Sequence, residues 1–106
     1  MSWTVLYYPK ETEKFLRKLR SDDQTRIVQE LEVLEKYGFS QYNDSLKKIV
    51  GTVNIWEVKA KQYRIFLTTL PTNTIQVLYM MIKKSNKTPK EVIDLIRSRA
   101  KALGGS

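Results

Sequence analysis

At 106 residues with a hydrophobic fraction of 42%, the chain is long enough to close one modest core as a single domain without disulfides or a structural metal. It has no cysteine and no histidine, which excludes a disulfide framework, thiolate or imidazole metal ligation, a cysteine nucleophile and any histidine general base. The formal charge of +8 is uneven: residues 1–45 hold seven Lys/Arg against eight Asp/Glu, residues 46–106 twelve against three, which directs any polyanion such as nucleic acid to the second half of the chain.

Residues 2–8, SWTVLYY, are aromatic and β-branched and end at Pro9, which predicts a first strand with Thr4, Leu6 and Tyr8 facing away from Trp3, Val5 and Tyr7. Residues 10–20 predict a short helix with Phe15, Leu16 and Leu19 on one stripe. The segment SDDQ restarts the helix, with Ser21 as cap, Gln24 reaching back to it, and Asp22 and Asp23 at the positive end of the dipole. Ile27, Val28, Leu31, Leu34 and Tyr37 follow at helical spacing until Gly38 stops the helix. After a polar loop at 39–45, residues 46–50 read as a weak edge strand, 54–60 and 63–70 as a hairpin, and 75–82 as a central strand entered through the turn LPTNT. Thr88, Pro89 and Glu91 supply cap, first-turn proline and capping-box partner for a last helix with Val92, Ile93, Ile96, Ala100 and Leu103 on its apolar face. The expected fold is α+β: an N-terminal strand and a helical hairpin packed on one face of a mostly antiparallel sheet of four or five strands, then a C-terminal helix. Residues 1–103 form this single domain and 104–106 a flexible tail. No apolar run approaches the length of a membrane span and no signal-peptide pattern opens the chain, so a cytoplasmic protein without membrane contact is expected.

The hairpin sorts its own chemistry. With an even-numbered loop, Trp56 and Val58 share a face with Tyr63, Ile65 and Leu67, which must lie under the helices, while Glu57 and Lys59 share the other with Arg64 and Phe66. That second face, not needed for the core, could be a solvated surface with a weak Glu57–Arg64 pair. It could also be a site, because one of Lys83 and Lys84, at the end of the next strand, would join it. Arginine, carboxylate and lysine together hold the groups for metal-free phosphate-ester cleavage. Phe66 or Tyr79 could then stack on an unpaired base.

The segments FLRKLRSDDQTRIVQELEVLEKYG, LKK, IWEVKAKQYRIFL and VLYMMIKKSNKTPKEV resemble, in order and spacing, the HigB-type branch of the RelE/ParE toxin superfamily. The resemblance spans residues 15–103. It implies the toxin of a type II toxin–antitoxin system: a ribosome-dependent mRNA endoribonuclease that needs no metal or cofactor, in which the ribose 2′-hydroxyl attacks the adjacent phosphate. Carried over by position, the strand arginine is Arg64, the basic residue after the last strand Lys84, and the strand carboxylate Glu57, where RelE has a lysine. Tyr79 stands where many relatives have histidine, and Lys90 near where RelE has a tyrosine. Glu57 or Tyr79 is then the candidate base and Lys84 the candidate acid, with Lys47, Lys48, Lys59, Tyr63, Phe66, Lys83, Lys87 and Lys90 as RNA contacts. The implied partners are a small helix-turn-helix antitoxin of HigA type, the ribosome and mRNA. Two other readings stay open: a ParE-like inhibitor of DNA gyrase that cleaves nothing, and a module that binds RNA without turnover. Structure alone accounts for Arg97, Arg99 and Lys101, which complement the dipole of the last helix.

Overall fold

The computed structural model describes residues 3–7 and 10–104. Eight elements follow the expected order: β1 (Thr4–Tyr7), α1 (Glu11–Arg17), α2 (Ser21–Tyr37), β2 (Leu46–Lys48), β3 (Ile55–Ala60), β4 (Tyr63–Leu70), β5 (Thr74–Ile82) and α3 (Lys90–Ala102). The strands form one five-stranded sheet in the order β1-β5-β4-β3-β2. Only β1, which pairs with β5, runs parallel to its neighbour. The two sets of β1 face apart as expected, with Trp3, Val5 and Tyr7 on the core side and Leu6 toward solvent; Tyr8, Pro9 and the tail residues Gly105 and Ser106 lie outside the described residues.

The hairpin register matches the parity argument, with Trp56 opposite Leu67, Val58 opposite Ile65 and Lys59 opposite Arg64 across the two-residue turn at Lys61 and Gln62. Trp56 and the buried side chains Val58, Tyr63, Ile65 and Leu67 pack with Leu16, Ile27, Leu31 and Leu34 of the helical hairpin. Val28 and Tyr37, read as part of the α2 stripe, are exposed. The other face is not solvated. α3 lies across it, so Ile55, Phe66 and Leu78 pack with Val92, Ile96 and Ala100 in a second core. A β-bulge helps to build it: Phe66 pairs with Tyr79 but Leu67 with Val77, which leaves Leu78 extra. Both Leu78 and Tyr79 therefore turn toward α3, where simple alternation would send only one.

Two capping motifs do different work from that expected. α2 begins after Arg20 without a side-chain cap, and Gln24 reaches past Ser21 to donate to the carbonyls of Leu19 (2.7 Å) and Arg17 (3.3 Å). It thereby satisfies groups freed where α1 ends three residues earlier than expected, at Arg17. At α3 the cap position is Pro89, again without a side-chain hydrogen bond; Thr88 is engaged elsewhere, as described below. The expected strand at 46–50 stops at Lys48, and Ile49 turns into the second core.

Gly38 ends α2 at φ +69° and ψ −155°, a region open essentially to glycine alone. A Cβ there would also stand 3.1 Å from Trp3 Nε1. Gly38→Ala is expected to cost at least about 1–3 kcal/mol, read as a lowered urea midpoint with an unchanged m-value.

The β3–β4 turn is clasped to the start of α2. Lys61, at φ +55°, donates to Asp23 Oδ1 (2.7 Å) and the Tyr63 hydroxyl donates to Asp23 Oδ2 (2.7 Å). Hydrogen bonding from Lys61 first, then from Tyr63, holds the Asp23 carboxyl below its ordinary value of 3.8. The same bonds raise Lys61 above 10.5 and Tyr63 above 10.0. The Asp23 contribution is thus present above its unfolded value and lost as pH falls through the lower folded one, while those of Lys61 and Tyr63 are lost only as pH rises beyond about 10. Asp23→Asn is expected to flatten the fall in urea midpoint between about pH 5 and about pH 3 relative to the parent chain.

Candidate functional site

β3 and β4 set Glu57 and Arg64 diagonally on the face that α3 covers, with Glu57 opposite Phe66 and Arg64 opposite Lys59. Neither side chain is a surface group: Glu57 is 0% and Arg64 2% exposed. Arg64 Nε donates to Glu57 Oε2 (2.5 Å) and Nη2 to Glu57 Oε1 (3.0 Å), a bidentate pair that fixes the plane of the guanidinium. Nη2 also donates to the Thr88 hydroxyl (2.9 Å), and the guanidinium lies over the Phe66 ring, 5.7 Å from its centroid. These contacts leave Nη1 without a partner among the described residues. Thr88, which the capping pattern explained without function, is therefore part of this cluster. Its sequence signal was ambiguous because the same hydroxyl can serve a helix start or a neighbouring donor.

The pair opens on a hollow whose rim carries Lys47 from β2 and Lys87 from the segment before α3, with Asn86, Thr88 and Ile93 beside them. Lys47 stands opposite Glu57 and hence on its face, whereas Lys48 stands opposite Trp56 and points to the other. The N-terminus of α3 adds its positive dipole end to the two lysines and Arg64. Such an arrangement suits a phosphate held by Nη1, with Glu57 orienting the guanidinium. Both Glu57 oxygens are committed to Arg64, so its geometric role is positioning.

The remaining candidates divide. Tyr79 and Lys84 line a different hollow, between α1 and β5. The segment from Lys84 to Pro89 walls both hollows, giving Lys84 and Pro89 to this one and Lys87 and Thr88 to the Arg64 one. Lys83 is half-buried and its N–H donates to the Gln62 carbonyl (2.6 Å). Lys59 and Lys90 are exposed, Lys59 directly across from Arg64. Two expected RNA contacts are buried. Phe66 is 0% exposed in the second core, and Tyr63 lies in the first with its hydroxyl on Asp23.

Arg99, assigned above only to the helix dipole, ties three elements together. It donates to the carbonyl of the bulge residue Leu78 (2.6 Å) and to Glu11 Oε2 (2.7 Å), and its guanidinium lies 5.8 Å from the Tyr79 ring centroid. No local pattern announces this role, since it depends on the bulge. Among the described residues no group of three or more acidic side chains is placed to hold a metal ion, and no helix is long and apolar enough to cross a membrane.

Residues 14–101 match the family described as Phage derived protein Gp49-like. Among solved structures, a double mutant of E. coli toxin RelE in the free state superposes with a TM-score of 0.70 at 18% identity, covering 93% of this chain and 98% of that one. The archaeal RelE–RelB complex from Pyrococcus horikoshii OT3 gives 0.67 at 18% identity, with coverages of 79% and 98%. The YoeB dimer from Staphylococcus aureus gives 0.58 at 14% identity, with coverages of 73% and 92%. At these identities the likeness is one of fold. Comparison with curated protein sequences gave no match.

Proposed function

The chain belongs to the Gp49-like family of phage-derived proteins and has the fold of the RelE and YoeB structures, and from that premise we propose that it is the toxin of a toxin–antitoxin pair, a HigB-type endoribonuclease that cuts mRNA on the ribosome. The observation that carries this reading is the buried Arg64, clamped by Glu57 and opening on a hollow with lysines at its rim. In the proposed reaction the ribose 2′-oxygen bonds to the adjacent phosphorus while the bond from phosphorus to the 5′-oxygen breaks, leaving a 2′,3′-cyclic phosphate and a 5′-hydroxyl. Arg64 Nη1 holds a phosphoryl oxygen and stabilises the charge gathering there, in a setting where burial strengthens the interaction. The 2′-hydroxyl gives its proton to water, and one of the rim lysines, Lys47 or Lys87, gives a proton to the departing 5′-oxygen and regains one from solvent. The chemistry of this step asks for no metal.

The partner in this reading is an antitoxin, supported by the archaeal structure of the same fold having been solved in complex with RelB; that it is a small helix-turn-helix protein is what the HigB-type resemblance implies. Induction in a host without antitoxin is expected to arrest growth and to create new mRNA 5′ ends that require the ribosome, mapped by primer extension. Growth arrest with DNA damage and no new RNA ends would sink the nuclease reading in favour of gyrase inhibition.

A further inference from the structure

The molecule carries a second cationic surface away from Arg64, in the half of the sequence whose net charge gave no hint of it. Lys10, Lys14 and Lys18 stand four residues apart, a spacing that aligns side chains along one helix face in steps of about 6 Å. All three are exposed and line one groove beside Phe15. That groove shares Phe15 and Glu11 with the hollow where Tyr79 forms a second aromatic wall and Lys84 adds charge. None of the four lysines has an ion pair among the described residues, while both acids of α1 are taken, Glu13 by Arg17 and Glu11 by Arg99. Like charges at this spacing repel along a short helix; the C-terminal end of the dipole offsets this for Lys14 and Lys18, while Lys10 stands at the N-cap, where a cation is unfavourable. A polyanion lying along the row would remove that repulsion.

The hollow at the end of the row selects among polyanions. Phe15 and Tyr79, both half-buried, bring to the hollow the kind of ring on which every nucleobase can stack, the Tyr79 ring backed by the Arg99 guanidinium. The segment 84–89 stands between this hollow and the one around Arg64, contributing Lys84 and Pro89 to the first and Asn86, Lys87 and Thr88 to the second.

We infer that the α1 lysine row and the Phe15–Tyr79 hollow form a second, non-catalytic contact for single-stranded RNA, the lysines following the backbone and one unpaired base entering the hollow. The inference rests on the reading that RNA is the substrate and names where the strand is held beyond the scissile phosphate.

The test is binding of a short, unstructured, fluorescein-labelled RNA to the full chain across a salt series. The variant Lys10→Gln, Lys14→Gln, Lys18→Gln is expected to bind more weakly and to reduce the slope of log K against log salt by about 2, three contacts at roughly 0.7 each. The charge-matched variant Arg20→Gln, Lys36→Gln, Lys101→Gln is expected to keep the parent slope. A 2-aminopurine placed in the RNA is expected to be quenched on binding the parent chain and the lysine variant at saturation, and not on binding Tyr79→Leu. Equal slopes for the two triple variants, or no quenching by the parent chain, overturn the inference while leaving ribosome-dependent cleavage as a separate result. Loss of affinity of the lysine variant for poly-glutamate with unchanged RNA affinity would assign the row to an acidic protein partner and overturn it as well. A parent chain that neither binds RNA nor generates new mRNA ends would overturn the RNA reading itself.

Discussion

Arg64→Ala is expected to abolish mRNA cleavage and, at the same time, to cost the fold about 3–5 kcal/mol. The second effect follows from Glu57, which has no exposure and both of whose oxygens are met by Arg64. Truncating the arginine strands a buried carboxylate and removes the donor on Thr88. Against a total stability of about 5–15 kcal/mol, part of the variant would be unfolded at growth temperature, so loss of activity in Arg64→Ala alone does not assign a catalytic role. Two further variants separate the effects. Arg64→Lys keeps the charge without the planar fork and is expected to retain most stability while losing about 10²–10³-fold in cleavage, the range for removing one donor that stabilises developing charge. The double variant Glu57→Leu, Arg64→Met replaces the pair with apolar groups of similar size, a change that is often neutral for stability, and is expected to fold without cleaving. Urea midpoints read one effect and ribosome-dependent 5′ ends the other. An Arg64→Ala chain with the parent midpoint would refute the buried-pair energetics; full cleavage by the folded double variant would remove Arg64 from the chemistry.

What was legible in the sequence is what depends on short-range periodicity. Alternation over residues 55–70 fixed the partners and faces of β3 and β4 correctly, and helical spacing found Ile27, Leu31 and Leu34. Three features were not legible because distant segments decide them. The apolar stripe of Val92, Ile96 and Ala100 announces that α3 needs a surface, but only tertiary packing says which; it chose the face that alternation had left for solvent. A signal for this did exist, since β4 and β5 are nearly continuous apolar runs, the mark of strands covered on both sides. Thr88 fitted a capping pattern, yet a charged donor from β4 outcompeted the backbone for its hydroxyl. The bulge at Leu78 shifts the phase of β5, so alternation carried past it misassigns the residues on one side of the break. The same tertiary facts turned a supposed surface pair of Glu57 and Arg64 into a buried one, and divided Tyr79 and Lys84 from Arg64 between two hollows.

The distinction between a stacking platform and a core residue makes Phe66 the most decisive position outside Arg64. Phe66 sits on central strand β4, fully buried, packed with Ile55, Leu78, Val92 and Ile96 and capped by the Arg64 guanidinium. Phe66→Ala is expected to cost about 3–5 kcal/mol through the cavity it leaves, with a further loss of about 0.5–2 kcal/mol if the desolvated cation–π contact goes with it. Phe66→Leu fills much of the space and is expected to cost far less. A residue that stacked on an RNA base would behave in the opposite way: both substitutions would weaken RNA binding alike, because each removes the ring, and neither would disturb the urea midpoint. The pair of variants therefore separates the two roles without knowledge of the substrate. Stability falling in proportion to the volume removed, with RNA affinity of Phe66→Leu equal to the parent, places the ring under Arg64 as a floor. Affinity falling equally in both variants at unchanged stability would mean that α3 moves aside to expose the sheet face when RNA binds.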